Sequence, residues 1–299
     1  MKFFLFATHS NPNLSQKIIK KARWLRQGKC KISHYKDGEI LVHIDEKVKG
    51  KKVFVLGSTF PPAENVLELI ILINALKENG AQNIAVLIPY FGYGKQDRIK
   101  YSGDAMSAKL MAKIIEDAGA NKIITLDLHS HRVEEYFEQT IKHLSAVGLL
   151  VDYFKKLKLG EVTIISPDQG GIKRAERFAS MLGTKNFVVI DKFRPQVDQS
   201  KIIKIYGEVK NQNCVIVDDM TQTGGTLIET AKILKQKGAR DIYAVLTHLV
   251  ATGPAVKNLK KDKLIKKIIF TNSVEAPEGL IKSKKFEMIS CEELLVKNL

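Results

Sequence analysis

Cysteine is scarce: only Cys30, Cys214 and Cys291 occur in 299 residues, far apart and without metal-ligand spacing. An odd number of separated thiols argues against a disulfide framework and points to a reducing compartment, the cytoplasm being the simplest. Long apolar runs are also missing. The best candidate, residues 66–76, is interrupted by Glu68 and Asn74, so no stretch reaches the roughly 18 residues of a membrane span. The opening MKFFLFATHSNP has an apolar run too brief for a secretory signal, with no small-residue cleavage site after it, and reads as a first strand. Acids are in deficit, 32 Asp and Glu against 48 Lys and Arg, for a net charge of +16. That balance suits a handler of phosphates or a non-specific attraction to nucleic acid. Much of the excess sits in runs such as KNLKKDKLIKK (257–267), which read as solvated surface, so neither a nucleic-acid nor a membrane partner is expected.

What is present is an alternation. Runs rich in β-branched residues alternate with amphipathic stretches almost from end to end, the pattern of parallel sheets flanked by helices. Strands are expected at 3–8, 53–57, 84–88, 122–126, 162–166, 187–190, 215–217 and 242–247. Helices are expected at 65–77, 105–118, 144–156, 172–182 and 225–237. In the first of these, Leu67, Ile70, Ile71, Asn74 and Ala75 fall at helical spacing, and Gly80 follows as a stop. The length predicts two domains, 1–145 and 146–299, although no linker marks the boundary.

Chemistry gathers where strands end, the edge at which open α/β sheets bind ligands. In NCVIVDDMTQTGGTL (213–227) an apolar strand runs into Asp218 and Asp219. Gln222, Thr223, Gly224, Gly225 and Thr226 then open a helix. Carboxylates can grip sugar hydroxyls, and backbone amides at a helix start suit an anionic phosphate, so the segment reads as a sugar-phosphate site. Four further clusters stand at strand ends. PYFGYGKQDR (89–98) brings Lys95 and Gln96, a mixture suited to a nucleotide. TLDLHSH (125–131) carries His129, and SPDQGGIKR (166–174) carries Asp168; these two could share one magnesium ion. IDKFRP (190–195) puts Lys192 and Arg194 on one side of an extended segment, two cations for charge developing on a transferring phosphoryl group. No general base is evident.

Taken in this order, PYFGYGKQDR, DLH, PDQGGIKR, DKFRP and VDDMTQTGGT resemble the ribose-phosphate diphosphokinase family over nearly the whole chain, and YKDGE (35–39) is similar to that family as well. The resemblance implies two phosphoribosyltransferase-like domains, each a mostly parallel sheet flanked by helices. It also implies transfer of diphosphate from ATP to the anomeric hydroxyl of ribose 5-phosphate, with Mg2+ as cofactor and a homo-oligomeric assembly. Carried over residue by residue, Asp37, Gly38, Glu39, Lys95 and Gln96 would hold ATP, and His129 and Asp168 would bind the metal. Lys192 and Arg194 would stabilise the transferring group. Arg194 with Asp218, Asp219, Gln222, Thr223, Gly224, Gly225 and Thr226 would hold ribose 5-phosphate. Gln222 stands where the common family pattern has an acid, and Lys95 where it has an arginine. A phosphoribosyltransferase would use the same acid pair and glycine loop, and a regulatory paralogue would keep the same fold.

Overall fold

The computed structural model describes residues 3–193 and 202–299. The chain divides into two compact units. The first comprises Met1–Ser145 together with Ser273–Glu275 and Cys291–Leu299, and the second comprises Ala146–Asn272 and Ala276–Ser290. Residues 291–299, placed with the C-terminal domain from the sequence, thus belong with the first unit.

In the first unit the strands are β1 (Phe3–Ala7), β2 (Leu25–Gln27), β3 (Cys30–His34), β4 (Ile40–Ile44), β5 (Lys52–Leu56), β6 (Asn83–Ile88), β7 (Lys122–Leu126) and β8 (Thr140–Leu144). Six form a parallel sheet in the order β2-β1-β5-β6-β7-β8, while β3 and β4 pair antiparallel as a separate ribbon. The helices are α1 (Pro12–Lys21), α2 (Glu64–Glu78) and α3 (Ser107–Asp117). Asn11 caps α1 by accepting from the Leu14 amide at 3.1 Å, and Pro12 follows at the first helical position, where its missing N–H costs nothing.

Burial on α2 differs from the expected stripe. Val66, Leu69, Leu72, Ile73 and Leu76 face the core, whereas Leu67 is exposed. The helix is apolar on nearly every side, so spacing alone could not select its inner face. Leu69, Leu72, Ile73 and Leu76 pack with Phe6, Val53, Val55, Val86 and Ile123 of the sheet, and Ile32 and Val42 bring the ribbon against the same cluster. Each fully buried aliphatic side chain contributes about 1.5–3 kcal/mol.

A second joint in this unit is steric. The Gly92 amide donates to Thr59 Oγ1 at 2.7 Å, and a Cβ at Gly92 would lie 2.0 Å from the Thr59 carbonyl oxygen. Gly92→Ala is therefore expected to cost about 3 kcal/mol or more, read as a lowered urea midpoint. An unchanged midpoint would contradict the close approach of the loops following β5 and β6.

The second unit holds α4 (Val147–Lys155), β9 (Val162–Ser166), α5 (Ile172–Leu182), β10 (Phe187–Phe193), β11 (Ile202–Tyr206) and β12 (Asn213–Thr221). It continues with α6 (Gly225–Gln236), β13 (Ile242–Leu249), α7 (Ala255–Lys261), β14 (Ile265–Thr271), α8 (Glu278–Ile281) and β15 (Phe286–Ile289). The last helix, α9 (Glu292–Val296), belongs to the first unit, where it packs on α1 and Lys21 pairs with Glu293 at 3.1 Å. Sheet order is β11-β10-β9-β12-β13-β14-β15, parallel except for β10 with β11. From β9 the chain builds outward to β10 and β11, then returns to β12 on the other side of β9. The β9–β12 junction is consequently the switch point at which the crevice of an open sheet forms. Clusters on both faces close the core: Ile216, Leu234 and Phe270 among others on one, and Phe154, Phe178 and Val215 on the other.

Among the described residues no helix is long and apolar enough to cross a membrane. Burial pushes the Cys214 thiol up to about 11, so it exists as an inert thiol near neutrality.

Candidate active site

The two acids of the second unit do not follow β12 but lie inside it, since the strand runs past the expected end at Val217 to Thr221. Val215, Ile216 and Val217 anchor it between β9 and β13. Asp219 is buried, and the Asp219 amide donates to Asp218 Oδ1 at 2.9 Å. From α5, Arg174 Nη1 stands 3.8 Å from a carboxylate oxygen of each acid. Burial first, then the charges of Asp219 and Asp168, push the Asp218 carboxyl well above its ordinary value, and Arg174 opposes them. In the sequence Arg174 stands only at the end of SPDQGGIKR, with no role expected of it. Its signal was available, because an arginine three residues beyond Gly171 falls in the first turn of a helix that starts beside β9.

Asp168 is exposed just beyond β9. Its Oδ1 accepts from the Gly171 amide at 2.9 Å, while Ser166 Oγ donates to its carbonyl at 2.7 Å. These bonds fold the β9 exit into a tight turn at the switch point, where Asp168 joins the electrostatic neighbourhood of Asp218. Gln169 Nε2 donates to Asp191 Oδ2 at 3.0 Å, tying the same turn to β10 one residue before Lys192. The backbone of Lys192 pairs with Ile203 in β11, and Arg194 lies outside the described residues.

The glycine loop follows β12 directly. Gly224 adopts φ +77, where a Cβ would also meet Leu259 Cδ2 at 2.7 Å, so both conformation and space require glycine. Thr221 Oγ1 accepts from the Gly224 amide at 3.2 Å, Thr223 Oγ1 accepts from the Gly225 amide at 3.3 Å, and the Gln222 carbonyl accepts from the Thr252 amide at 2.9 Å. Helix α6 then opens with no side-chain cap, and Thr223, Gly225 and Thr226 are exposed at its start. An uncapped helix start of this kind presents amide hydrogens to an anion.

In the first unit the corresponding switch point lies between β1 and β5. Its residues are not those expected to bind ligands: His9 and Ser10 end the β1 side, and a cavity of about 210 Å³ beside β1 is lined by Thr8, His9, Gln27 and Cys30 among others. Lys95 and Gln96 lie instead in the loop between β6 and α3, both exposed, and the Gln96 carbonyl accepts from the Ala108 amide at 3.2 Å. Asp37, Gly38 and Glu39 form the exposed turn of the β3–β4 ribbon. There Gly38 has φ +97, and Asp37 Oδ1 accepts from the Glu39 amide at 3.1 Å. The nucleotide candidates are thus carried by two separate elements of this unit.

His129 is exposed after β7. Among the described residues a different trio, His131, Glu134 and His143, has its ligand atoms within 4.8 Å of one another. Glu134 Oε1 lies 2.9 Å from His131 Nδ1 and 2.7 Å from His143 Nδ1. Burial works to raise the Glu134 carboxyl, but the bonds from both imidazoles outweigh it and hold it below the ordinary glutamate range.

Residues 3–119 match the N-terminal domain of ribose phosphate pyrophosphokinase, and residues 133–279 match the phosphoribosyl transferase domain. The chain is similar to the ribose-phosphate pyrophosphokinase of Bacillus caldolyticus, with 40% identity over 275 residues covering 92% of this chain and 86% of the relative. It is likewise similar to that of Fusobacterium nucleatum, with 38% identity over 293 residues covering 97% and 92%. A crystal structure of phosphoribosylpyrophosphate synthetase from Mycobacterium smegmatis superposes at a TM-score of 0.93 and 29% identity, over 100% of this chain and 97% of that one. Two phosphoribosyltransferase-like sheets, one with an acid pair and a glycine turn at its switch point, and relatedness along nearly the full length lead to one conclusion: the chain belongs to the ribose-phosphate pyrophosphokinase family.

Proposed function

We propose that the chain transfers diphosphate from ATP to the anomeric hydroxyl of ribose 5-phosphate, releasing AMP and phosphoribosyl diphosphate for nucleotide synthesis. The observation that carries this reading is the acid pair Asp218 and Asp219 beside Arg174, followed without interruption by the glycine turn and the uncapped start of α6. In this reading Asp218 and Asp219 accept hydrogen bonds from the ribose hydroxyls. Gln222, Thr223, Gly224, Gly225 and Thr226 hold the 5-phosphate through amides and hydroxyls. Asp37, Gly38, Glu39, Lys95 and Gln96 hold ATP, and Lys192 and Arg194 meet charge on the departing AMP oxygen. Little covalent chemistry falls to the protein, so positioning and charge neutralisation do the work.

The donor set suits a hard divalent cation. Among the described residues Asp168, Asp218 and Asp219 bring three carboxylates near the Arg174 guanidinium, and burial together with the neighbouring acids pushes the Asp218 carboxyl up. We assign His129 and Asp168 as ligands of Mg2+. When bound, the ion neutralises phosphate charge and polarises the transferring group. The two units, with residues 273–275 and 291–299 counted in the first, are taken as the N- and C-terminal domains of a cytoplasmic homo-oligomer.

Mixing the protein with Mg2+, ATP and ribose 5-phosphate, with and without free phosphate and ADP, is expected to yield equal amounts of AMP and phosphoribosyl diphosphate. Absence of AMP under every condition would favour a regulatory paralogue.

A further inference from the structure

The turn after β7 is held in an unfavourable conformation by two consecutive amides. Asp127, a buried non-glycine residue, has φ +30 in the left-handed region, a placement that persists only where surrounding bonds over-determine it. Its amide donates to the Leu144 carbonyl at 2.8 Å, continuing the β7–β8 ladder. The next amide, of Leu128, donates instead to a side chain, Nε2 of His143, at 2.8 Å. His143 sits near the end of β8 with 11% of its side chain exposed. One residue beyond the two clamped amides stands His129.

The partners dictate the proton on His143. A backbone N–H can only donate, so Nε2 must present its lone pair, and a neutral ring then carries its proton on Nδ1. That proton points at Glu134 Oε1, 2.7 Å away, and the same oxygen receives His131 Nδ1 at 2.9 Å. A cation bound by the trio would need the His143 Nδ1 lone pair while Nε2 still accepts from Leu128, which would require an imidazolate. The arrangement therefore works as a tautomer clamp rather than as a metal centre. We propose that His143, held in one tautomer by Glu134, is a positioning residue that fixes the β7 exit turn and with it His129. The catalytic half of this inference rests on the assignment of His129 to Mg2+ above.

Three variants test it. His143→Phe keeps a ring but removes the acceptor, His143→Gln restores an acceptor of similar reach, and Glu134→Ala, at a one-third-exposed side chain, frees the tautomer without emptying the core. In the substrate-free protein, imidazole 15N resonances are expected to show His143 protonated at Nδ1 and not at Nε2, with Glu134→Ala populating the other tautomer in part, since the Leu128 amide alone then opposes it. Exchange of the Leu128 amide is expected to accelerate about fivefold or more in His143→Phe and to stay near wild type in His143→Gln. In the AMP assay, His143→Phe is expected to raise the Mg2+ concentration for half-maximal rate about tenfold, with the KM for ribose 5-phosphate within about twofold and recovery in His143→Gln. Unchanged Leu128 exchange in His143→Phe, a proton on Nε2 in the wild type, or Zn2+ shifting His143 to a metal-bound resonance would each overturn the clamp. Faster exchange with unaltered Mg2+ dependence would overturn its link to His129. The exchange and 15N measurements need no substrate, so they decide the clamp whether or not the wild-type chain makes AMP.

Discussion

Lys192→Ala is expected to lower the rate of AMP formation by about 10²–10³-fold while changing the affinity for ribose 5-phosphate less than about threefold. The asymmetry follows from where charge is needed. On the proposed assignment ribose 5-phosphate is held in its ground state by the acid pair and the glycine turn, whereas Lys192, one residue before the end of β10, meets charge that appears only as the bond to AMP breaks. Interactions made only in the transition state lower turnover when removed and leave binding alone. Lys192→Arg keeps the charge and should retain far more of the rate. The measurement is single-turnover AMP release beside a direct titration of ribose 5-phosphate. Loss of binding in proportion to loss of rate would reassign Lys192 to substrate anchoring.

The second large effect concerns stability. Arg174→Met removes a guanidinium that, among the described residues, opposes the crowded acids. Stranding buried carboxylates is expected to cost about 2–4 kcal/mol at pH 8. The sign with pH is set by Asp218, whose carboxyl is raised in the folded chain. Between the ordinary aspartate range and that raised value the folded protein binds more protons than the unfolded one, so Asp218 makes stability fall as pH rises. The penalty of Arg174→Met should therefore shrink as pH falls through that raised value and Asp218 takes up its proton. Asp218→Asn should act in the opposite direction, raising the urea midpoint at pH 8 while weakening ribose 5-phosphate binding. A penalty that stays constant across the whole pH range in which the protein folds would show that Arg174 is not compensating these acids. The pair of results would make the site a place where binding chemistry is retained at the expense of stability.

Several elements were legible because a continuous β-branched run has few other uses. KIITL and VTIIS became β7 and β9 with the expected ends, and IKRAERFASML became α5, stopped by Gly183 in the left-handed region. The β3–β4 ribbon was missed although its signal stood in the open. Alternating apolar residues on both sides of Asp37-Gly38 mark a hairpin, but the segment drew attention only as a motif. The lysine run 257–267 misled in another way. It is indeed largely exposed, yet it contains most of α7 and the start of β14, with Leu259 and Ile265 buried between the lysines.

At the site, the acid pair and the glycine turn were readable because strand, acids and turn are contiguous. Arg174 and the Glu134–His143 clamp were not. Their partners lie on other elements, and only the sheet order brings β9 beside β12 and β8 beside β7. Tautomer and counter-ion are properties of neighbours in space, and one-dimensional spacing carries no trace of them.

The assignment of Ser273–Glu275 and Cys291–Leu299 to the first unit has a consequence for how the protein is made. A ribosome delivers the N-terminus first, and a domain encoded by a contiguous segment can finish folding while its successor is still being synthesised. Here the first unit waits for residues 291–299, which follow the second unit, because α9 must reach α1. Its hydrophobic sheet can form early, but its surface stays open until the second unit has been threaded. The order of synthesis and the order of completion are therefore reversed: the half that begins first is the one that closes last.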